Sequence, residues 1–529
     1  MKSMSSLRLF RICSRSRTAP SAFHLPLPGR RVISSTPPPL LHGPPAATKS
    51  VDTLIIGGGP MGLSTAYHLA MQRRSRSHPD DDDDDVSNSR SLSIAVVERD
   101  PTYARSSATL SAGGVRQQFS AAENIQMSLY GRDFLRDAAR LLSVHHPDHD
   151  DVVDVQFREH GYLFLSSSLE GKRQLEQNHR LQKSLGCRDH VLLTPLQLKE
   201  RFPWLNVEDI LLGSYGAKGE GWFDPWALIR GLRAKCLSLG VEIVDGGFPV
   251  SAVRNCDGGN NGNGRILSVD IAQQSQQHKQ RQQQYLKPNQ QQEKQQQNQQ
   301  IVRYNVQNVV NAAGAHCQNL LNTLTGNDTS IHPIPVEPRK RCVFFFHCAT
   351  HQQDPDAIVP HVAPLTVCPV SNAYFRSEGL VTDPSSGQPP TGNFLCGVSP
   401  SREEDRAIDD LDHLDFVDHH LWEDVLWPAL YHRVPAFGEV KVKSSWAGVY
   451  EYNTIDQNAI IDFHPEIPNL LLLNGFSGHG LQQSPAAGRA ASELLENDGR
   501  FVTLDLTRFS FERCYHGGSG SPVFEAGIV

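Results

Sequence analysis

The sequence contains no run of about 18 consecutive apolar residues, so it predicts no transmembrane helix. Its ten cysteines form no CxxC pair and no paired spacing typical of zinc sites. Cys342 and Cys348 lie in an apolar segment, which predicts core thiols rather than metal ligands. We therefore expect no disulfide scaffold, no zinc module and no other metal site.

Acidic residues are absent from the first fifty positions, which carry eight Lys and Arg. Their Arg- and Ser-rich composition, with apolar residues among the basic ones, is typical of a mitochondrial transit peptide; the alternative is a disordered basic tail. The remaining chain has 42 basic and 57 acidic residues, a net charge of −15, which argues against nucleic-acid binding. We expect residues 1–48 to be a transit peptide and the mature protein to reside in the mitochondrial matrix.

Two low-complexity stretches interrupt the chain. Six consecutive aspartates, Asp80 to Asp85, repel one another and predict a solvated loop. The Gln-rich stretch 273–300 has too little apolar surface to offset its ordering entropy and predicts a disordered insert. A proline-rich segment ending at Pro45 predicts no regular structure before Asp52.

The opening of the body predicts a parallel sheet. VDTLIIGGGP is typical of a buried strand entering a glycine turn, MGLSTAYHLAMQRR of the next helix, and SLSIAVVERD of a second buried strand. Short strands with turn signals from about 328 to 445 predict a mainly antiparallel second domain. LLLLNGFSGHG then predicts another strand and glycine turn, followed by a helix from about Ser484 to Leu495.

The first glycine turn has the GxGxxG spacing of a dinucleotide-binding loop. Gly57 permits the tight turn, Gly59 lets a pyrophosphate approach the backbone, and Gly62 allows close packing of helix on strand. The helix N-terminus offers unpaired N–H groups to the phosphates. Glu98 ends the second strand, where its carboxylate would accept hydrogen bonds from ribose hydroxyls. The motif alone leaves the choice between FAD and NAD open.

Three further segments carry a family resemblance: SSATLSAGGVRQQFS, VVNAAGAHCQNLL and WAGVYEYNTIDQNAIIDFHPEIPNLLLLNGFSGHGLQQSPAAGRAA. With the glycine turn, they resemble the FAD-dependent amine oxidoreductases of the D-amino-acid oxidase, sarcosine oxidase and glycine oxidase superfamily, over about residues 51–512. The resemblance implies an α/β fold in which a discontinuous Rossmann-type FAD-binding domain joins a mainly antiparallel β substrate domain. It implies FAD as cofactor and a small amine or amino acid as substrate.

Three stretches are similar to a mitochondrial member of this superfamily associated with assembly of respiratory complex I: GGVRQQFSAAENIQMS, VEPRKRCVFFFHC and RVPAFGEVKVKSSWAGVYEYNTIDQN. This similarity implies complex I assembly intermediates as partners. It leaves three alternatives: an enzyme also needed for assembly, a non-catalytic assembly factor with structural FAD, or a sarcosine- or dimethylglycine-type amine oxidoreductase unrelated to complex I.

The same resemblance implies domain limits. FAD-binding segments are expected at 51–150, 223–327 and 446–512, substrate-domain segments at 151–222 and 328–445, and a C-terminal tail at 513–529. Cofactor contacts are expected from hydroxyls, from glycines close to the flavin, and from the second glycine turn. They are Gly57, Gly59, Met61, Gly62, Glu98, Ser106, Ser107, Gly113, Gly114, Val250, Ala313, Gly314, Gly448, Gly475, Phe476, Gly478, His479, Gly480 and Gln482.

Four residues are candidates for catalysis. Arg116 matches a basic position beside the flavin in related enzymes, with a surface salt bridge as the alternative. Tyr374 and Arg376 alternate on one predicted strand, so both side chains face one way, and Arg376 is expected to clamp a substrate carboxylate unless this is a half-exposed sheet face. His479 would either transfer a proton or make a structural hydrogen bond.

The sequence departs from its relatives at attachment and substrate positions. Val449 replaces the cysteine that bonds flavin in sarcosine oxidases, and residues 101–120 lack a histidine, so FAD should bind non-covalently. Phe119 and Gln482 stand where sarcosine oxidases hold the substrate carboxylate with Arg and Lys. GNFLCGVS lacks their oxygen-activating lysine. These departures favour a dehydrogenase over a peroxide-producing oxidase.

Overall fold

A computed structural model describes residues 45, 47–76, 93–145, 150–255, 264–274, 299–349, 359–360, 362–379, 392–400, 404–408, 411, 416–515 and 521–525. The predicted transit peptide up to residue 44, the aspartate run and residues 275–298 of the Gln-rich stretch lie outside these ranges.

The strands are Ala47–Ile56 (β1), Ile94–Glu98 (β2), Gly114–Val115 (β3), Val144–His145 (β4), Asp150–Asp151 (β5), Tyr162–Ser166 (β6), His190–Leu193 (β7), Leu212–Gly216 (β8), Gly221–Trp222 (β9), Glu242–Asp245 (β10), Phe248–Arg254 (β11), Ile266–Gln274 (β12), Gln299–Asn311 (β13), Val336–Cys348 (β14), Leu365–Val367 (β15), Ala373–Ser377 (β16), Asn393–Val398 (β17), Val440–Asn453 (β18), Ile460–His464 (β19) and Ile467–Asn474 (β20). The α-helices span Pro60–Arg76, Ala122–Arg136, Ala138–Leu142, Leu169–Ser184, Pro195–Arg201, Pro225–Ser238, Cys317–Thr325, Trp427–Arg433 and Gly480–Glu496.

The first sheet has the order β10-β2-β1-β13-β12-β11, with β20 also pairing with β13 and β19 with β20. Its centre is parallel: β1 pairs in parallel with β2 and β13, and β10 with β2. Helices Pro60–Arg76, Pro225–Ser238 and Gly480–Glu496 bury their apolar side chains against this sheet. The carboxyl ends of β1, β2 and β13 therefore meet at one edge, where open α/β sheets bind ligands.

The second sheet has the order β18-β14-β17-β16-β15-β6-β8-β7. All its pairs are antiparallel except β15 with β6. Its core is rich in aromatic residues, including the fully buried Phe344, Phe346, Phe375 and Phe437. The predicted α/β class, with a parallel dinucleotide-type sheet and a mainly antiparallel second domain, is confirmed.

Three predicted boundaries were wrong. Strand β1 begins at Ala47, not near Asp52, because its first residues pair with Val302 and Arg303 of β13. Strands β12 and β13 extend into the Gln-rich stretch, where Gln273 pairs with Gln300. The limit at 445/446 falls inside β18, which pairs with β14 along its whole length and so belongs to the second sheet.

The last long helix begins at Gly480, four residues before the predicted start at Ser484. Proline is favoured in the first turn of a helix, where a missing N–H costs nothing, but Pro485 does not lie there. It lies inside the helix instead, and the helix crosses Ala122–Arg136 so closely that a Cβ at Gly131 would collide with the carbonyl oxygen of Gln482. Tertiary packing thus decides where this helix begins.

Candidate functional site

A single cavity of about 720 Å³ runs from the carboxyl edge of the first sheet to the face of the second. Residues following β1, β2 and β13 line one end, and strands β6, β14, β16 and β18 line the other. Of the residues expected at the site, those lining the cavity are Gly57, Gly59, Met61, Glu98, Ser106, Ser107, Gly113, Gly114, Arg116, Ala313, Gly314, Tyr374, Gly448, Phe476, Gly478, His479, Gly480 and Gln482. The fold therefore brings together segments distant in sequence.

Four expected residues lie outside the cavity lining: Gly62, Val250, Arg376 and Gly475. A Cβ at Gly62 would collide with the carbonyl oxygen of Gly57, so this glycine serves close packing, as its place in the motif predicts. Gly475 has a φ of +77°, which a turn requires and a side chain rarely adopts. Val250 lies at an irregularity in the register of β11, and its neighbours Gly247 to Pro249 line the cavity instead.

The first glycine turn, Gly57–Gly62 (the phosphate-type turn), is open on the side that faces the cavity. Gly57 has a φ of +110°, and a Cβ there would collide with Ala312. A Cβ built on Gly59, by contrast, meets no atom within 4 Å, because it would project into the cavity. The backbone at Gly59 therefore forms a cradle that a side chain would fill.

Glu98 is held against this turn. Its carboxylate accepts hydrogen bonds from the backbone N–H of Gly58 at 2.8 Å and of Asp100 at 2.7 Å. The Tyr103 hydroxyl donates to the Gly58 carbonyl at 2.9 Å, closing the turn from the other side. Burial raises the pKa of Glu98. The carboxylate thus faces the cavity at the place expected for a ribose contact.

The second glycine turn points a helix N-terminus at the cavity. His479 precedes the helix Gly480–Glu496, and its buried Nε2 atom has no hydrogen-bond partner among the described residues. Burial, and then the charge of Arg116, lower the pKa of His479 to about 3, so its imidazole is neutral at physiological pH. A neutral, buried nitrogen at a cavity wall is a vacant hydrogen-bonding group for a ligand.

Arg116 is buried rather than part of a surface salt bridge. Its backbone N–H donates to Gln482 Oε1 at 2.6 Å, and its guanidinium donates to the Gln118 carbonyl at 2.7 Å and lies 4.0 Å from the ring centre of Phe119. Phe119 and Gln482 replace the carboxylate-binding pair of sarcosine oxidases. Phe119 packs against this guanidinium, whereas Gln482 holds the Arg116 backbone.

The second sheet supplies an aromatic wall. Tyr162, Tyr374 and Tyr450 line the cavity, and burial raises the pKa of each, that of Tyr162 to about 12. The phenols therefore stay protonated and can donate hydrogen bonds. Arg341 lies beside them and hydrogen-bonds to Tyr450 and Asp405.

The geometry does not support the expectation that Arg376 clamps a substrate carboxylate. Its Nε donates to the Ala112 carbonyl at 2.8 Å, its Nη1 to the Ser377 carbonyl at 2.9 Å, and the same group pairs with Glu378. The guanidinium also lies over the Trp222 ring at 5.2 Å. These contacts place Arg376 behind the cavity wall, where it supports the loop preceding Gly113 and Gly114.

The cavity residues not identified from the sequence as site residues include Arg341 and Glu451. Glu451 accepts the backbone N–H of Gly475 at 3.0 Å, and burial raises its pKa to about 7. Glu451 stands between Tyr450 and Tyr452 on β18, and no sequence motif marked it as a site residue. Arg341 lies in a Lys- and Arg-containing stretch that resembles an ordinary solvated strand face.

Glu451→Gln should change the pH dependence of stability. The folded-state pKa of about 7 exceeds the ordinary 4.5, so proton binding stabilises the folded wild type below about pH 4.5 and this stabilisation is lost as pH rises through 7. We expect the free energy of unfolding of the variant, relative to wild type, to increase by ~3 kcal/mol between about pH 5 and pH 8, at ~1.4 kcal/mol per pKa unit. Urea titrations at both pH values measure it; a pH-independent difference would contradict the assignment.

No group of three or more His, Cys, Asp and Glu side chains within the described ranges could hold a metal ion. The helices in that part of the chain also lack the combination of length and apolar composition needed to cross a membrane.

The residues present fit FAD. The Gly59 cradle would accept a pyrophosphate, and Glu98 would accept hydrogen bonds from the adenosine ribose hydroxyls. The unpartnered His479 nitrogen and the adjacent helix N-terminus would bind the polar edge of the flavin ring. One continuous cavity joins these groups, so the space between them is open to a ligand.

Comparisons with known proteins agree with this reading. The model of the DAO family, FAD dependent oxidoreductases, matches residues 52–494. The chain is 40% identical over 492 residues to FAD-dependent oxidoreductase domain-containing protein 1 of Xenopus laevis, covering 90% of this chain and 85% of that protein.

Solved structures share the fold. L-proline dehydrogenase from P. horikoshii superposes with a TM-score of 0.62 at 20% identity, covering 88% of this chain and 98% of that one. Glycine oxidase from Geobacillus kaustophilus gives a TM-score of 0.60 at 17% identity, covering 88% and 99%. The predicted family and its cofactor, FAD, are confirmed, and the chain belongs to the DAO family of FAD-dependent oxidoreductases.

Proposed function

We propose that this oxidoreductase is a dehydrogenase of the mitochondrial matrix that acts on a C–N bond of a small amine or amino acid and is needed for assembly of respiratory complex I. The observation that carries the catalytic part is the continuity of the cavity. One space joins the phosphate-type turn at Gly57–Gly62 to the wall of Tyr162, Tyr374 and Tyr450, so a cofactor and a small substrate fit side by side.

Bound FAD supplies the hydride-accepting chemistry. The chain's own residues bind, orient and shield: Gly57 and Gly59 would hold the pyrophosphate, and Glu98 the adenosine ribose. The N-terminus of helix Gly480–Glu496 stabilises negative charge placed next to it. Glu451, with a pKa of about 7, can hold or release a proton at the cavity wall.

The dehydrogenase assignment is supported by the residues that replace the oxidase machinery. Phe119 packs against the Arg116 guanidinium and Gln482 accepts the Arg116 backbone N–H, and neither carries the positive charge that holds a substrate carboxylate in sarcosine oxidases. The segment GNFLCGVS lacks the lysine that activates oxygen in sarcosine oxidases. L-Proline dehydrogenase and glycine oxidase, which share the fold, are named for reactions at amino acids, which supports a C–N bond as the reacting bond.

The matrix location and the assembly role are supported by sequence features. The acid-free, Arg- and Ser-rich start of the chain favours mitochondrial import. Three stretches between residues 113 and 458 resemble the family member associated with complex I assembly. The second candidate is a non-catalytic assembly factor with structural FAD, favoured by the loss of the carboxylate-binding pair; a sarcosine- or dimethylglycine-type enzyme unrelated to complex I is the third.

Anaerobic flavin bleaching tests the catalytic proposal. The FAD-loaded protein is mixed without oxygen with a panel of simple amines, N-methyl amines and D-amino acids, and flavin absorbance is followed. Bleaching by at least one compound is expected. Absence of bleaching across the panel, together with restored complex I assembly in deficient cells, would favour the non-catalytic alternative.

Removing residues 1–45 should leave the protein outside mitochondria. This truncation ends before β1, which begins at Ala47, so the folded body is retained. Fractionation of cells expressing the full-length and truncated proteins measures the result. Import of the truncated protein at the full-length level would show that the basic segment is not the transit peptide.

A further inference from the structure

Arg341 is a cationic residue on β14 of the second sheet that lines the cavity, and its charge is already compensated. Its Nη1 donates to Asp405 Oδ1 at 2.7 Å and its Nη2 to Asp405 Oδ2 at 2.6 Å, a bidentate pair. The side chains are 13% and 7% exposed, so the pair is shielded from water. Arg339, which pairs with Glu337, also has its Nε atom 3.9 Å from Asp405 Oδ2. The Arg341–Asp405 pair itself presents no net charge to a ligand.

The other Nη hydrogens of the guanidinium are also committed, whereas the buried Nε–H has no hydrogen-bond partner among the described residues. Nη1 donates to the Lys340 carbonyl at 2.8 Å, and Nη2 donates to the Tyr450 hydroxyl. Each of the four Nη hydrogens therefore has an acceptor within the protein. A substrate carboxylate could gain the bidentate geometry that such groups prefer only by displacing Asp405 or the Tyr450 hydroxyl.

Asp405 is fixed by the backbone around it. Ala407 forms a bridge with Arg339 of β14, and the Ile408 N–H donates to the Pro338 carbonyl at 3.0 Å. Ile408 packs against the small apolar cluster of Ala315 and Val449. Ala407 and Ile408 thus attach this segment to β14, and displacement of Asp405 would break these contacts and separate a buried carboxylate from its bidentate partner.

We infer that the Arg341–Asp405 pair determines substrate specificity by excluding a carboxylate from this wall, so that the substrate is an amine whose group facing Arg341 is uncharged. A second carboxylate here would share one guanidinium with Asp405, and like charges in a shielded site repel strongly. The protonated phenols of Tyr162, Tyr374 and Tyr450 suit a neutral polar or apolar group instead. The inference rests on the proposed function and narrows its substrate class.

Competing ligands of equal shape test this specificity. Benzoate and its uncharged isostere benzamide are titrated into the FAD-loaded, full-length protein, and binding is followed by the perturbation of flavin absorbance. The wild type should bind benzamide at least as tightly as benzoate. In Asp405→Asn, which frees the Arg341 charge, the affinity ratio should shift towards benzoate by about tenfold to hundredfold, as expected for one charge-assisted hydrogen-bonded pair.

Glu337→Gln is the matched control. Glu337 is a half-exposed carboxylate that pairs with Arg339, two residues before Arg341 on β14. Glu337 does not line the cavity. Removing the Glu337 charge should leave the ratio of benzoate to benzamide affinity unchanged. FAD retention and the thermal unfolding of all variants are measured first; if Asp405→Asn does not fold, the wild-type ratio still decides.

Preferential binding of benzoate by the wild type would overturn the inference, because a carboxylate would then be accepted with Asp405 in place. An unchanged ratio in Asp405→Asn would also overturn it, as would binding of neither ligand to either protein, because this wall would then not be a ligand site. This experiment measures binding and is therefore independent of flavin bleaching. If no amine reduces the flavin, the proposed function fails, but the benzoate-to-benzamide affinity ratio still tests the inference.

Discussion

Gly59→Val should yield a folded protein that binds no FAD. A Cβ at Gly59 meets no protein atom within 4 Å and projects into the cavity at the phosphate-type turn. The larger side chain would therefore occupy the space of the pyrophosphate without straining the chain. Because Gly59 precedes the helix Pro60–Arg76, its replacement should cost the FAD-free protein less than ~1 kcal/mol. Flavin absorbance after purification and urea unfolding of the FAD-free proteins measure the two effects.

Gly62→Val supplies the contrasting variant. A Cβ at Gly62 would collide with the carbonyl oxygen of Gly57 and crowd Ile55, so this change should disrupt the packing of helix on strand. We expect loss of soluble, cooperatively unfolding protein, whether or not FAD is present. Retention of FAD by Gly59→Val, or unfolding of its FAD-free form as severe as that of Gly62→Val, would refute the cradle assigned to Gly59.

Arg513→Met should lower the free energy of unfolding by ~3–5 kcal/mol, the cost typical of leaving one member of a buried ion pair alone. The side chains of Arg513 and Asp456 are 1% and 0% exposed and pair at 2.7 Å. Arg513 also donates to the carbonyls of Ser510, Asn458 and Ala459. Urea titration of FAD-loaded wild type and variant measures the loss.

Lys49→Met is the control for charge removal. Lys49 pairs with Glu242, but the two side chains are 49% and 38% exposed, so the loss should stay below ~1 kcal/mol. Replacing both buried partners, as in Arg513→Met with Asp456→Leu, should recover part of the stability because no buried charge is left unpaired. A similar effect of Arg513→Met and Lys49→Met would contradict the assignment.

The glycine turns and the strands leading into them were predictable because their signals are local. Gly57, Gly59 and Gly62 follow a continuous apolar strand and open a helix, so spacing alone indicated the phosphate-type turn. Glu98 could be placed because parallel strands end at the same edge of a sheet. The second turn, Gly475–Gly480, repeats the pattern of an apolar run entering glycines, and its place at the cavity follows.

Partners brought together by long-range folding were not predictable in the same way. Tyr374 and Arg376 alternate on β16, which suggested a shared face, yet Arg376 is held by Ala112 from a distant loop. Asp405 reaches Arg341 because residues 404–408 pair with β14. No periodicity along the chain records such contacts.

The C-terminal segment shows the same limit. The sequence indicated a tail beginning at residue 513, but Arg513 is buried against Asp456, and Glu525 accepts the backbone N–H groups of Ser120 and Ala121 that precede helix Ala122–Arg136.

By itself, then, the sequence determined the family, the two kinds of sheet and the cofactor-binding turns, because backbone conformation and apolar periodicity are set by neighbouring residues. Only the tertiary structure decided which arginine of the second sheet lines the cavity and which carboxylates neutralise the buried charges. Those outcomes depend on side chains hundreds of residues apart, such as Asn124 and Glu525, meeting in one place. How deeply a charge is buried and which group neutralises it depend on all the residues that the fold brings together, not on either residue alone.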